Sequence, residues 1–235
     1  MTPDILVYIR NGENEELRYA LRSWCQNLNF NNLIVVSGSK PPKWLQPDIL
    51  IKNRSQLGKV RQAYENVRLG LEDPRTAKNV IIMMDDVFVL KPIGDWKPNF
   101  NYNRGTLTQQ WGVGSAKHGE DAYTCQVRMT YEALKRHFET PLSFEEHAPF
   151  WCEKDKMLKL FDIYGDQLYK YLFRSLYGNI YQINTEYKPD FKALTCETKI
   201  PAGEPFASSN DTTFRLGNVG SMVKYQFPNK CRYEI

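Results

Sequence analysis

The run NVIIMMDDVFVL, residues 79–90, constrains the fold more than any other stretch of this chain. Ile81, Ile82, Met83 and Met84 are continuously apolar, and Val87 to Leu90 resume the series. An apolar run without polar alternation suits a strand buried on both faces, as inside a parallel sheet covered by helices. Two acids, Asp85 and Asp86, interrupt it. Taking adjacent carboxylates out of water is costly unless a cation, hydrogen bonds or water compensates them. The fold must therefore bring this pair to a strand end or break, and give it partners.

The preceding residues supply the rest of an α/β pattern. Asp4 to Ile9 reads as a strand, and Glu15 to Asn27 as a helix with Leu17, Ala20, Leu21 and Trp24 at helical spacing. Glu13, Glu15 and Glu16 lie near its start, where acids complement the helix dipole. Asn32 to Val36 is a second strand, followed by the loop signals Ser37-Gly38-Ser39 and Pro41-Pro42. Ile49 to Ile51 is a third, and Val60 to Leu71 a second helix stopped by Asp73-Pro74. Short connections between such elements predict an α/β fold with a mostly parallel central sheet flanked by helices. Ligands of such sheets bind beyond the carboxyl ends of the strands.

Past Lys91-Pro92 the pattern loosens. Residues 96–125 are polar, aromatic and rich in glycine, Val127 to Phe138 and most of Lys154 to Leu176 read as helices, and Met222 to Phe227 reads as a short strand. No repeat or linker marks a boundary, so one domain spanning residues 1–235 is expected.

Charge and cysteine content narrow the function. Lys and Arg total 31 against 27 Asp and Glu, a mild excess with no long basic block or nucleic-acid motif. The five cysteines include no CxxC pair, which favours reduced thiols. The N-terminus turns charged after one strand, and no apolar stretch approaches the ~20 residues that span a bilayer. A soluble, cytoplasmic protein without a membrane partner is the expectation.

An acid pair at a strand end suits a hard cation. Mg2+ and Mn2+ bind carboxylate and phosphate oxygens, commonly through one or two protein carboxylates plus the phosphates of a substrate. Such an ion neutralises the charge that develops on a diphosphate leaving group. A turn or helix cap is the plainer use of the same two residues.

Five segments resemble one family in their order and spacing. The opening strand followed by ELRYALRS (16–23), then NLIVVSGSKPPKWL (32–45) and MMDDVFVLKPI (83–93), resemble the glycosyltransferase-A fold, and within it the Stealth-type sugar-phosphate transferases. RSLYGNIY (174–181) and SSNDTTFRLGNVG (208–220) resemble the related small phage-encoded glycosyltransferases. The resemblance implies a single Rossmann-like domain with a nucleotide-sugar-binding half (1–93) and an acceptor-side half (94–235). It implies a nucleoside diphosphate sugar donor, with a UDP-sugar expected, and Mn2+ or Mg2+ on Asp85 and Asp86. Met84 stands where this acidic motif often has asparagine, and no third acid completes a DxD, so which acid touches the metal stays open. A phage-encoded member would work in the host cytoplasm.

The site candidates follow from position. Arg10 and Asn11 come after the first strand, where a nucleotide would lie; Arg18 lies in the ELRY segment, Gly38 after the second strand, and Lys59 at the second helix start. A solvated turn, a surface salt bridge and a capping loop are the plainer readings of Arg10-Asn11, Arg18 and Lys59. His147, one of three histidines, is the expected general base, with Glu145 and Glu146 as alternatives. Arg174, Tyr177 and Asn179 are candidates for holding donor phosphate or acceptor groups, unless they form a helix end capped by Gly178. Asp211 is a donor-binding candidate or an N-cap.

The expected acceptor is a hydroxylated base of phage DNA, or a protein or glycan. Arg104, Lys117 and the aromatics of 96–125 suit base stacking, while Glu120 and Asp121 oppose a uniformly basic groove. Transfer of a sugar phosphate, and a non-catalytic binding role, are the rival readings.

Overall fold

A computed structural model describes residues 2–38, 40–94, 100–119 and 121–235, excluding the side chains of Phe100 and His118. Residues 96–99 and Glu120, part of the polar, glycine-rich stretch 96–125, lie outside the described residues. In chain order the elements are β1 (Asp4–Ile9), α1 (Glu15–Asn27), β2 (Leu33–Ser37), β3 (Ile49–Lys52), α2 (Lys59–Glu72), β4 (Asn79–Met83) and β5 (Val87–Val89). There follow β6 (Phe100–Asn103), α3 (Leu107–His118), α4 (Ala122–Leu134), β7 (Phe150–Glu153), α5 (Lys154–Tyr164), a 3-10 turn (Gly165–Lys170) and α6 (Phe173–Ile180). The chain ends with β8 (Asn184–Tyr187), β9 (Phe206–Ser208), α7 (Asp211–Leu216) and α8 (Asn218–Gln226).

The chain forms two compact units. The first comprises Met1–Lys97, His147–Trp151 and Phe191–Ile235. Its sheet has the order β3-β2-β1-β4-β7, with Phe150 and Trp151 of β7 inside this unit. β1 pairs in parallel with both β2 and β4, and β2 with β3. Ile5, Leu6 and Val7 of β1 are fully buried, as a central strand covered on both faces requires. Leu17, Ala20, Leu21 and Trp24 of α1 are equally buried, the stripe that the sequence spacing predicts. On α2, Gly70 lets Leu6 of β1 come so close that a Cβ there would overlap its side chain.

The apolar run 79–90 is two strands, not one. β4 belongs to the main sheet, whereas β5 pairs antiparallel with β9 in a separate two-stranded sheet. Between them the chain turns, and Val87 N–H donates to Met84 O at 3.3 Å. Side chains of α1 take up the edge of β5: Trp24 Nε1 donates to Val87 O (2.8 Å), Asn27 Nδ2 to Val89 O (2.7 Å), and Ser23 Oγ accepts from Val89 N (3.0 Å). The expected strand at Met222 to Phe227 is also different: it lies within and just after helix α8. Val219 and Val223, four residues apart, are buried on one helical face.

The second unit comprises Pro98–Glu146 and Cys152–Asp190. It holds the parallel pair β6–β8 and helices α3 to α6. The stretch 96–125, irregular by sequence, contains α3 and the start of α4. The α3 start is a capping box: Thr106 Oγ1 accepts from Gln109 N while Gln109 Oε1 accepts from Thr106 N. Asp121 caps α4 by accepting from Thr124 N at 2.7 Å. Among the described residues, no helix is long and apolar enough to cross a membrane.

Candidate functional site

The acid pair occupies the turn where the chain leaves the main sheet, at the carboxyl end of β4. Asp85 is gripped by Asn14, which also starts α1. Asn14 Oδ1 accepts the Leu17 amide (3.0 Å) as the N-cap, so its Nδ2 is turned to donate to Asp85 Oδ2 at 2.5 Å. Asn14 is 1% exposed. One residue thus sets both the helix start and the orientation of the first acid.

Asp86 faces a cation. Lys192 Nζ lies 3.3 Å from Asp86 Oδ2 and 3.2 Å from His147 Nε2, linking the expected metal ligand to the expected base. An ammonium has donors and no acceptor. The imidazole Nε2 in this pair is therefore the acceptor, and its lone pair is directed at Lys192. The other oxygen, Asp86 Oδ1, is buried and has no hydrogen-bond partner among the described residues.

The segment after β9 joins two further motifs to the pair. Ser209 N–H donates to Asp86 O (3.2 Å), and Ser209 Oγ donates to Glu16 Oε1 (2.8 Å). Arg10 forks onto Asp211 with bonds of 2.9 and 2.5 Å and stands 3.9 Å from Glu16. ELRY, MMDD and SSND, remote in sequence, converge here through Glu16, Asp86 and Ser209.

Four carboxylates therefore share a small region with Arg10 and Lys192. Burial, followed by the Asp86 charge, pushes Asp85 up to about 6, although Asn14 and Arg10 oppose the shift. Burial also pushes Glu16 up to about 7, against the Ser209 hydrogen bond and with help from Asp86 and Asp211. Arg10 holds Asp211 below the usual carboxylate range. The raised acids mark a site cut off from water, and the unpartnered oxygen marks an acceptor that no donor of the described residues satisfies.

A divalent cation fits on one condition. No group of three or more His, Cys, Asp and Glu side chains among the described residues is arranged to hold a metal ion. Asp86 Oδ1 and Asp85 can supply one or two ligands, and the remainder would have to be phosphate oxygens and water, a common arrangement for Mg2+. Beside this cluster is an open hollow of about 560 Å³ lined by Leu194, Thr195, Cys196 and Asn210 to Thr213.

The other expected residues fall differently. Asn11 packs on Gly38, where a Cβ would overlap its amide, and Asn11 Oδ1 accepts the Lys40 amide at 3.1 Å. This pair shapes the loop after β2. Arg18 is turned to the chain end: its guanidinium lies over Trp44, 4.7 Å from the ring centroid, with Nε 3.5 Å from Glu234. Lys59 is exposed at the first turn of α2. No hydrogen bond or ion pair joins it to the acids among the described residues.

Arg174, Glu146 and Asn179 belong to the second unit. Arg174 Nε donates to Glu145 Oε2 (3.0 Å) and its NH1 to Glu146 O (2.9 Å). Glu145 Oε1 in turn accepts from Ser175 N and Oγ. Asn179 spends its amide on backbone, accepting from Leu142 N and donating to Leu142 O and Ser175 O. Glu146 is 3% exposed, and its Oε1 has no partner among the described residues. Burial raises its carboxyl well above the ordinary range, which suits holding a proton more than accepting one.

Sequence reasoning missed Asn14, Lys192 and Ser209, and read Glu16 only as a dipole partner. The Asn14 signal was present, since Asn directly before a helix is a preferred cap. Lys192 carried none.

No family model matches the sequence. The chain is 28% identical over 182 residues to the capsular polysaccharide phosphotransferase SacB of Neisseria meningitidis serogroup A, covering 69% of this chain and 33% of that relative. The chain thus spans far less than the full length of the curated relative it matches. Among solved structures, the apo form of the glycosyltransferase GlyE of Streptococcus pneumoniae TIGR4 aligns with 79% of this chain and 45% of its own, at TM-score 0.35 and 10% identity. A second GlyE structure aligns at TM-score 0.34 and 9% identity over 80% of this chain and 45% of its own. Likenesses this slight carry no argument.

Proposed function

We propose that this chain transfers a sugar-bearing group from a nucleoside diphosphate sugar to an acceptor hydroxyl, with Mn2+ or Mg2+ at Asp85 and Asp86. One observation carries the reading: the buried, unpartnered Oδ1 of Asp86 beside the raised carboxyl of Asp85. When bound, the ion supplies positive charge to the leaving phosphate. The residues of the chain do the rest. Asn14 aims Asp85, and Arg10 presents a fork that matches phosphate oxygens as well as it matches Asp211. His147 takes the proton of the acceptor hydroxyl once its Nε2 lone pair is free.

Two bonds of the donor are open to attack. Attack at the anomeric carbon transfers the sugar and releases a nucleoside diphosphate. Attack at the sugar-linked phosphorus transfers a sugar phosphate and releases a nucleoside monophosphate. The first is the general reading; the second is favoured by the 28% identity to a protein named as a capsular polysaccharide phosphotransferase.

For the acceptor, a glycan or protein hydroxyl fits better than a hydroxylated DNA base. Arg104, expected to serve a nucleic acid, is held 3.3 Å from Asp190 and donates to Glu145 O at 3.5 Å. The test incubates the protein with a panel of UDP-sugars and Mn2+, with glycan, protein and hydroxymethylated DNA acceptors. Release of UDP or of UMP identifies the bond broken. Absence of nucleotide release with every donor, with and without acceptor, overturns the proposal in favour of a binding role.

A further inference from the structure

Lys192 reaches the acids from a fixed base. Its backbone is flanked by two bonds to β9, from Ala193 N to Ser208 O (2.8 Å) and from Ser208 N to Phe191 O (3.0 Å). Phe191 and Ala193 on either side are buried. Only the side chain, 22% exposed, is at liberty. Its ammonium touches Asp86 at 3.3 Å and His147 at 3.2 Å, both longer than the roughly 2.7–2.9 Å of a firm charge-assisted bond. A strongly hydrated point charge on a flexible four-carbon stem makes such contacts exchangeable.

The two contacts also oppose the chemistry proposed above. A cation on Asp86 Oδ2 repels a second cation from Oδ1 of the same carboxylate, and a donor to Nε2 occupies the lone pair that a general base needs. Both obstructions end if the ammonium finds a stronger anion within reach. A diphosphate, with several charged oxygens brought to the Asp85–Asp86 turn, is such an anion.

We infer that Lys192 is a transferable cation that stands in for the metal until a diphosphate arrives. In the donor-free protein it caps Asp86 and holds the His147 lone pair. When a diphosphate binds, the ammonium passes to a phosphate oxygen, freeing Asp86 for the divalent ion and His147 for the acceptor hydroxyl. No covalent bond changes in this step; hydrogen bonds are exchanged. The inference rests on the metal–diphosphate reading above and assigns Lys192 as a positioning residue whose occupancy orders the binding events.

The experiment uses Lys192→Met, which keeps most of the stem and removes the charge, and Lys192→Arg, which keeps the charge. Mn2+ binding to the full chain without diphosphate is measured by electron paramagnetic resonance. Lys192→Met should bind Mn2+ about tenfold more tightly than wild type, because a like charge a few ångströms away is gone, while Lys192→Arg should not gain. The gain in metal affinity reports the ammonium's charge at Asp86; its transfer is read by the diphosphate and His147 measurements, which a merely structural lysine would leave unmoved. Inorganic diphosphate without metal should bind the Met variant about tenfold more weakly, as expected for loss of a charged hydrogen bond. In wild type it should also shift the His147 ring nitrogen resonances, which three histidines leave readily assignable. Equal Mn2+ affinity in wild type and Lys192→Met overturns the inference and leaves the metal reading standing. Failure of both proteins to bind Mn2+ at millimolar concentration even with inorganic diphosphate present overturns the two together.

Discussion

Asn14 donates to Asp85 Oδ2 at 2.5 Å through the same side chain whose oxygen caps α1 on Leu17 N at 3.0 Å. The fold and the site are therefore mechanically one at this residue. A helix cap is worth about 1 kcal/mol, and a hydrogen bond to a charged group about 1.5–3 kcal/mol. Asn14→Ala should cost about 2–4 kcal/mol in urea unfolding. Asn14→Asp keeps the cap but places a carboxylate against Asp85, so its loss should shrink when Mn2+ is added. An Asn14→Ala variant as stable as wild type, or an Asn14→Asp variant indifferent to Mn2+, would contradict the dual role.

The raised acids give the metal-free protein a definite pH response. Glu16 rises from 4.5 to about 7 and Asp85 from 3.8 to about 6. Between the unfolded and folded values, the folded state keeps protons that the unfolded chain has given up. Stability from these groups is thus complete below about pH 4 and is lost as pH rises through 6 and 7, by at most about 1.4 kcal/mol per pH unit per group. Glu16→Gln should remove its share, because the amide oxygen still accepts from Ser209 and nothing ionises. The check is the difference in unfolding free energy between wild type and Glu16→Gln at pH 5, 6, 7 and 8. That difference should widen with pH in favour of the variant; a constant offset would refute it.

Catalysis should separate the acids from the base. Asp85→Asn and Asp86→Asn are expected to abolish transfer with the fold intact, and EDTA should reproduce their effect in wild type. His147→Ala is expected to lower kcat about 100-fold, within the usual range for general base catalysis, with KM for the donor little changed. Circular dichroism and donor-dependent turnover together decide it. EDTA-resistant activity in both Asn variants would remove the metal from the account.

Much of this was legible in the sequence because desolvation leaves a strong signal. Two acids inside an apolar run had to lie at a strand end with partners, and they do. The α1 stripe was equally plain. Periodicity could not show that Val87 to Val89 leave the sheet that Asn79 to Met83 join, since both segments are equally apolar and only pairing distinguishes them. Met222 to Phe227 looked like a strand because the window excluded Val219, whose spacing from Val223 reveals the helix. Lys192 was invisible for another reason. It meets Asp86 across 106 residues of chain, and a single lysine in a turn-rich segment carries no local pattern. Arg18 had a pattern, but its partners, Trp44 and Glu234, turned it toward the chain end.

That chain end yields a stability prediction. Glu234, with a side chain 1% exposed, accepts from Arg22 Nε at 2.7 Å, Arg22 NH2 at 2.8 Å and Cys231 N at 3.1 Å. Removing one partner of a buried pair leaves the other uncompensated, at about 3–5 kcal/mol. Glu234→Ala should lower stability by about that amount, while Mn2+ affinity of the folded protein stays within about twofold, a difference well under 1 kcal/mol. Calorimetry and metal titration measure the two effects. A loss below about 1 kcal/mol would show that Arg22 finds another anion or water.

Arg10 and Asp211 form the opposite kind of pair, with side chains 52% and 60% exposed. A pair so open contributes at most about 1 kcal/mol to stability, yet its fork geometry is the one a phosphate would use. Asp211 thus competes with the donor for Arg10. Asp211→Asn should change unfolding free energy by less than about 1 kcal/mol and raise UDP affinity several-fold, because the guanidinium no longer has to exchange one anion for another. Arg10→Ala should weaken UDP binding about tenfold or more, the worth of a charged hydrogen bond. Arg10→Lys should recover only part of that loss, since an ammonium cannot form the fork. Titration calorimetry with UDP at fixed Mn2+ compares the three variants. If Asp211→Asn weakened UDP binding as much as Arg10→Ala, Asp211 would instead hold Arg10 in place for the donor or contact the donor itself.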